Sequence, residues 1–362
     1  MMFSPPFVDS HGVLKLNEAI EHFLHDGMAE AQFGKPCFPV DFRSVIRRNS
    51  KFEEYSRNVF KRLKADADEL EKVREMWTNH SDICGLCSDT SKTIIFHKLS
   101  DATEKALDDF FEFLYETALK QLTSVRKACG CIKDHYQCCL DGRSMACPAC
   151  CQIYLPDPGT GSRAAYDHYL NRSNFPLLSV NFKNLIPICD LCNGADNKWH
   201  KNVLKSEDDG TRRLAFAPYE NSAGIRAKMS WTKKPTVGFD GACSIEFKPV
   251  SKKEKEQTET WQTVFGMKVR GEARVQTHHE TWLKQFLRDK AFVAKPSRSV
   301  LRSEFRRISK ELLKPDTIRR ELDAVLKSSY FNYLANNASG PEIESISQLA
   351  RGRMSRIPMA LN

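Results

Sequence analysis

Hydrophobic residues recur at helical intervals near both ends of the chain, and this pattern predicts a mainly helical protein. Residues 51–77 place apolar positions three and four residues apart and contain no Gly or Pro. Residues 101–128 repeat the pattern, with Asp101 as the predicted N-cap and Glu104 in a capping-box position. From about residue 258 the helical pattern returns. Long amphipathic helices are therefore expected on either side of a different middle region.

The middle of the chain loses the helical pattern. Cysteines crowd together between about residues 129 and 205, and turn residues fill 155–162. Short strand-like runs then occur at 212–219, 225–231 and 243–250. We predict an α+β fold, a mainly helical chain with a central metal-bound module and a small strand-containing region after it. The predicted domains are a helical N-terminal domain (1–128), the module (129–205), and a mixed strand and helix region that ends in basic helices (206–362).

Composition and charge narrow the class of protein. No apolar run approaches the roughly 18 residues that span a bilayer, and the N-terminus lacks a basic segment followed by an apolar one. Thirteen cysteines, an odd number, indicate a reducing compartment, so we expect a cytoplasmic protein without a membrane partner. The net charge of +9 suits a polyanion such as nucleic acid, the alternative being a solvated basic surface.

Two Cys-x-x-Cys pairs bracket the compact part of the module. Cys147 and Cys150 form the first pair, and Cys189 and Cys192 form the second, with 38 residues between Cys150 and Cys189. Together they offer the tetrahedral four-sulfur shell that Zn²⁺ accepts, and a closed shell implies a structural ion. The alternatives are redox pairs or free buried thiols. Two matching pairs around one short segment favour zinc, and its binding would supply much of the folding free energy of the segment.

Between and after these pairs the sequence predicts two strands and a helix. Residues 162–170 and 184–191 have strand-like patterns, and residues 192–204 have the pattern of a helix that opens with Asn193. This order makes a ββα unit. Trp199 is expected to pack in the core of this unit, the alternative being a contact with the substrate.

Within that unit, polar residues have the chemistry needed to cleave a phosphodiester. Asp167 and Asn193 offer the hard oxygen ligands that suit Mg²⁺ or Mn²⁺. His168, with an ordinary pKa of about 6.5, can take a proton from water. Asn184 could orient the imidazole or fix the loop through hydrogen bonds to the backbone. The alternative for Asn193 is a simple N-cap.

The order "DHYLNRSNFPLLSVNFKNLIPICDLCN" resembles the HNH (His-Asn-His, or ββα-metal) endonucleases over residues 147 to about 201. The resemblance implies that His168 is the general base, Asp167 a metal ligand and Asn184 the middle Asn. Asn193 then stands in the position of the final His, as a second metal ligand. The four-cysteine zinc site also occurs in many members.

The sequence departs from the family pattern in two ways. Many members place a Lys three residues after the last motif residue, whereas Lys198 follows Asn193 by five. Asn197 and His200, on the same predicted helical face, could therefore share or replace the ligand role. Asp167 and His168 would also point to opposite faces of a regular strand, so the strand must end, twist or bulge there.

Other residues give candidate sites beyond the motif. Cys84, Cys87 and His97 could begin a second zinc site, completed by Cys129, Cys131, Cys138 or Cys139, unless these are buried thiols. Lys198 and Lys201 are predicted to contact phosphate. Arg302, Arg306 and Lys310 form a basic helical stripe that could do the same, the alternative being a face of salt bridges.

These features predict a metal-dependent HNH endonuclease that hydrolyses DNA, with RNA as another substrate to test. HNH proteins that need a companion resemble bacterial anti-phage effectors, and this analogy suggests an effector of anti-phage defence or of a mobile element. Two alternatives stay open. The first is a zinc-held nucleic-acid-binding module without catalysis. The second is a nuclease subunit that is active only with a partner ATPase or sensor, because the helical flanks exceed what the catalytic unit requires.

Overall fold

A computed structural model describes residues 2–141, 143–220, 225–235, 241–249, 251, 254–292 and 294–351. The chain forms two compact units. The first comprises the described residues of Phe3–Ala149 and Tyr154–Ser222, and the second those of Cys150–Ile153 and Ala223–Asn362. The described part is mostly helical with two small antiparallel sheets, which is consistent with the predicted α+β class. The division into regions 1–128, 129–205 and 206–362 stays a prediction.

The first unit begins with a series of α-helices that are packed by aromatic side chains. Their bounds are α1 Leu14–His25, α2 Arg43–Arg48, α3 Ser50–Ala65, α4 Ala67–Ser81, α5 Ile83–Ser88, α6 Asp101–Phe113, α7 Leu119–Gln121, α8 Thr123–Cys129 and α9 Ile132–Leu140. A π-helical stretch, Leu114–Ala118, joins α6 to α7. The rings of Phe23 and Phe38 stack with centroids 4.8 Å apart, and Phe110 lies 6.1 Å from both Phe23 and Phe52. Each fully buried Phe contributes roughly 1.5–3 kcal/mol.

One predicted helical segment is divided in two, and one predicted helix cap was wrong. The segment 51–77 is two helices, because the Asp66 carboxylate accepts hydrogen bonds from the backbone N–H groups of Asp68 and Glu69 and so caps α4. The N-cap of α6 is Ser100, one residue before the predicted Asp101. Glu104 does accept a hydrogen bond from the backbone near the cap, from the N–H of Leu99 at 3.3 Å.

The first unit continues with a small ββα arrangement. Strand β1 (Tyr166–His168) pairs antiparallel with β2 (Leu185–Pro187), and helix α10 (Asp190–Asn193) follows. Both strands are three residues long, so β1 ends at His168. The strand order and the position of the Asp-His pair match the sequence-based expectation.

The second unit packs a two-stranded sheet against helices. Its strands are β3 Arg226–Lys233 and β4 Ala242–Lys248, which cover two of the three strand-like runs. The run 212–219 forms no strand, and only an isolated bridge pairs Lys205 with Arg212. The helices of the second unit are α11 Glu254–Phe265, α12 Met267–Lys290, α13 Arg298–Glu311, α14 Pro315–Arg320, α15 Ala324–Asn336 and α16 Gly340–Arg351. None of the helices in the described ranges is long and apolar enough to cross a membrane.

Candidate active site and metal centre

Two backbone turns bring four cysteines together. The first is a hairpin in which Ala146 bridges to Tyr154, and its turn carries Cys147 and Cys150. The second is the start of α10, where Cys189 is the N-cap and Cys192 lies one turn later. The four Sγ atoms all lie within 4.8 Å of one another, and all four residues are buried. Tetrahedral bonds of ~2.3 Å place sulfurs about 3.8 Å apart, so this cluster can hold a metal ion such as zinc.

Backbone N–H groups point at two of these sulfurs. The N–H of Cys189 donates to Sγ of Cys147 at 3.3 Å, and the N–H of Gln152 donates to Sγ of Cys150 at 3.4 Å. Such bonds favour the charged thiolate over the neutral thiol, and the thiolate is the form that binds metal. The donors fit the chemistry of a closed four-sulfur site.

His168, at the end of β1, is held by its surroundings in one tautomer. Its Nε2 lies 3.1 Å from the carbonyl oxygen of Ser179, and the ring of Tyr115 meets the imidazole edge-on at 4.4 Å. A carbonyl oxygen only accepts hydrogen bonds, so Nε2 carries the proton and Nδ1 carries the lone pair. Burial lowers the pKa of His168 to about 3, with the Ser179 carbonyl opposing that shift. The imidazole is therefore neutral at physiological pH, and a pKa this low also makes it a weaker base than an ordinary imidazole.

Asp167 contacts Lys198, which the sequence predicted as a phosphate contact. Its Oδ1 lies 2.9 Å from Nζ of Lys198, and both side chains are buried. The same ammonium donates to the backbone carbonyl of His168. Burial raises the pKa of Asp167, and the Lys198 charge opposes that shift. Lys198 is thus an internal partner of the Asp-His pair, and its ammonium, predicted to contact phosphate, is buried and already paired with Asp167.

The second carboxylate oxygen of Asp167 remains available. Oδ2 is buried and has no hydrogen-bond partner among the described residues. A buried carboxylate oxygen without a partner loses its hydration, and a bound cation or water restores it. The side chains of Asp167 and His168 also have different neighbours, as expected for adjacent strand positions.

Asn184 fixes the chain that follows His168. Its Oδ1 accepts from the N–H of Leu170 at 2.7 Å, and its Nδ2 donates to the carbonyl of Leu170 at 3.0 Å. Its own carbonyl accepts from the N–H of Tyr169 at 2.9 Å. These bonds match the loop-fixing alternative. The ring of His168 is oriented instead by Ser179 and Tyr115.

Asn193 ends a helix instead of opening one. Helix α10 covers Asp190–Asn193, Gly194 follows as the C-cap, and residues 195–200 form turns. The Cys189-x-x-Cys192 spacing needs only one helical turn, and Asn-Gly is a strong turn pair. The predicted helical face shared by Asn193, Asn197 and His200 is therefore wrong.

The three candidate ligands in this segment have different surroundings. The side chain of Asn193 is half-buried at the end of α10. Asn197 is buried, and its Nδ2 donates to the carbonyl of Leu191 at 2.8 Å, which is a structural contact. His200 is exposed, and its backbone carbonyl accepts from Nδ2 of Asn171 at 2.7 Å. Of the three side chains, that of Asn197 is the one committed to a backbone contact.

The candidate second zinc site is not assembled. Among the described residues, the four-cysteine cluster is the group in which three or more potential metal ligands (Cys, His, Asp or Glu) lie close together. His97 pairs with Glu75 at 2.6 Å, Cys84 contacts Glu220, and Cys87 is a buried thiol. The additional candidates are apart from them: Cys131 caps α9, Cys129 donates to a carbonyl of α8, Cys139 lies beside His135, and Cys138 is exposed. Burial raises the pKa of Cys129 and Cys139 to about 12, as for thiols packed as hydrophobic groups.

The predicted phosphate contacts differ in availability. Lys201 is half-buried and Lys310 is exposed. Arg302 donates at 2.6 Å to the carbonyls of Ala335 and Ala338, at the end of α15, and Arg306 donates to Asn336. Positive side chains favour a helix C-terminus, so Arg302 serves the packing of the second unit.

Two neighbours of the site, Ser179 and Tyr115, and the role of a third, Lys198, were missed from the sequence. Ser179 acts through its backbone carbonyl, which its side-chain type does not reveal. Tyr115 and Lys198 reach β1 from 53 and 31 positions away in the chain, respectively, and no local pattern reports such contacts.

Comparisons with protein-family models, with curated proteins and with solved structures found no match. The resemblance to HNH endonucleases thus depends on the motif residues of this chain alone.

Proposed function

We propose that the protein is a metal-dependent HNH endonuclease that hydrolyses phosphodiester bonds in DNA. The observation that supports it most is the neutral imidazole of His168 next to the buried carboxylate of Asp167, at the end of a strand beside the four-cysteine cluster. In this proposal the cysteines bind structural Zn²⁺, and Asp167 and Asn193 bind Mg²⁺ or Mn²⁺.

The residues of the site have separate roles in the proposed reaction. His168 accepts a proton from the attacking water at Nδ1, because Nε2–H is committed to Ser179. The Ser179 carbonyl then stabilises the imidazolium through a charge-assisted hydrogen bond. Asn184 keeps the chain after His168 in place. A metal ion on the free oxygen of Asp167 would neutralise charge that develops on the phosphate.

A specific observation favours a second candidate, a nucleic-acid-binding module without catalysis. The Lys198 ammonium already neutralises Asp167 at 2.9 Å, so a divalent ion must share that carboxylate with a buried cation. In this alternative Lys198 takes the place of the metal. A nuclease that requires a partner ATPase or sensor, as in an anti-phage defence or mobile-element effector, is a further form of the first proposal.

Cleavage of plasmid and of labelled RNA in Mg²⁺ or Mn²⁺ tests the proposal. We expect nicked or linear plasmid with the wild type and at least a 100-fold slower rate with His168→Ala, the usual size of a general-base effect. His25→Ala is the control, because its half-buried imidazole lies on α1, outside the residues of the candidate site. Nucleic-acid binding without cleavage under either ion, with candidate partners included, would establish the second candidate instead.

A further inference from the structure

Trp199, expected in the core of the module, is presented at its surface. Half of the side chain is exposed (51%), whereas Trp77, Trp261 and Trp282 are buried. Its backbone has φ 29°, a left-handed conformation that an aromatic residue rarely adopts. Strain of this kind persists only where the surrounding structure enforces it, and it concentrates at functional sites.

Hydrogen bonds on both sides hold the backbone of Trp199 in place. Before it, Lys198 donates from its N–H to the carbonyl of Cys192 at 3.2 Å, and Asn197 donates from its side chain to Leu191. After it, Lys201 donates from its N–H to the carbonyl of Lys198 at 2.7 Å, and the carbonyl of His200 accepts from Asn171 at 2.7 Å. The indole thus projects from a fixed turn.

The turn is also joined to the proposed catalytic residues. Lys198 points inward, where its ammonium meets both Asp167 and the carbonyl of His168, while the next residue points outward. The ring of His200 meets the indole edge-on with centroids 4.8 Å apart, and Lys201 adds a cation to the same turn. An exposed aromatic ring supported by a second ring and a nearby cation is the arrangement that stacks on bases.

We propose that Trp199 stacks on an unpaired base of the nucleic acid, which makes single-stranded DNA, or DNA with an unpaired base, the preferred substrate. A base inside a continuous duplex has both faces covered by its neighbours, so it offers the indole no face. This inference rests on the proposed nuclease function and specifies its substrate class.

Binding of fluorescent oligonucleotides to the full chain tests it, with His168→Ala as the background to prevent cleavage. We expect the single strand to bind at least tenfold more tightly than the same sequence as a blunt duplex. Trp199→Ala should weaken single-strand binding about 5- to 150-fold, the range found for loss of one stacked base. Trp199→Phe should retain most of the affinity. Val269→Ala removes an exposed apolar side chain on α12 and should change nothing.

An abasic oligonucleotide of the same length separates stacking from phosphate contact. We expect Trp199→Ala to have no further effect on that ligand, because there is no base to stack. Trp199→Gly relieves the left-handed strain, so its melting temperature should equal or exceed that of the parent while its affinity falls. Equal affinity of Trp199→Ala and the parent for the single strand would overturn the inference and leave the nuclease proposal intact. A parent that binds no nucleic acid, with its zinc present, would overturn both.

Discussion

The ammonium of Lys198 lies 2.9 Å from Oδ1 of Asp167, and both side chains are buried. The two residues are 31 positions apart, so this ion pair closes the turn after α10 onto the end of β1. Desolvation of both charges is costly, and the attraction between them offsets that cost only while both partners are present. The pair is therefore a structural tie at the centre of the candidate site.

Loss of the ammonium should destabilise the first unit. Lys198→Met leaves the Asp167 carboxylate buried without a partner, and we expect the free energy of unfolding to fall by about 3–5 kcal/mol. The exposed pair of Lys105 and Asp109 on α6 is the matched control, and Lys105→Met should cost about 1 kcal/mol or less. Chemical denaturation of the wild type and the two variants measures the difference. Equal stability of the Lys198→Met variant and the wild type would contradict a buried charge pair.

Asn184 should matter for stability through its two bonds to Leu170. Asn184→Ala leaves the N–H and carbonyl of Leu170 buried without those partners, which should cost about 1–3 kcal/mol. Asn174→Ala is the control, because Asn174 is exposed on the loop between the same strands. Thermal unfolding of both variants is the measurement. A shift in melting temperature no larger for Asn184→Ala than for Asn174→Ala would remove the loop-fixing role.

The four cysteines should bind one metal ion that the fold requires. We expect metal analysis to find one zinc per chain, and we expect a strong chelator to unfold the module, because binding of structural zinc supplies folding free energy. Cys189→Ser should lose the zinc. Cys243→Ser, which changes a buried thiol outside the cluster, should keep it. Zinc retained in Cys189→Ser would show that the ion is bound elsewhere.

Acid should destabilise the first unit through His135. Burial and the neighbouring His11 lower the pKa of His135 to about 4, and its Nδ1 lies 2.6 Å from the hydroxyl of Tyr166, with Cys139 at 3.7 Å. The unfolded chain takes up this proton near pH 6.5 and the folded chain only near pH 4. The stability that the neutral imidazole of His135 contributes is therefore fully present above about pH 6.5. It is lost as the pH falls toward 4.

The size of that effect can be measured by removing the imidazole. As the pH falls from about 7 to about 5, the free energy of unfolding of the wild type should decrease by about 2 kcal/mol more than that of His135→Leu. His200→Leu, which removes an exposed imidazole, should behave as the wild type. Parallel pH profiles for the wild type and His135→Leu would mean that His135 titrates normally in the folded protein.

Much of the local structure follows from the sequence, because local patterns encode it. The Cys-x-x-Cys pairs, the Asp-His end of β1 and the amphipathic stripe of α6 lie where their patterns predict. The start of α10 was missed because the single helical turn that joins Cys189 to Cys192 comes before Asn193. Gly194 then ends this helix. Lys198 could not be predicted as an internal partner, since its burial depends on the distant Asp167 and not on its neighbours in the chain.

The same limit applies to Trp199 and Arg302. An indole in a short cysteine-rich module fits a core by composition, and only the left-handed turn directs it outward. Arg302 has the spacing of a basic stripe, but its guanidinium is committed to the end of α15, a contact 33 residues away. Side-chain chemistry is visible in a sequence, whereas non-local partners are not.

The central claim, that His168 is the general base of a nuclease, is tested most directly by chemical rescue. In His168→Gly, free imidazole can enter the space left by the ring and accept the proton from water. We predict that the zinc-loaded variant cleaves DNA in Mg²⁺ at least about 100-fold more slowly than the wild type, and that imidazole restores cleavage in proportion to its concentration. Cleavage by His168→Gly at the wild-type rate without imidazole would contradict the claim.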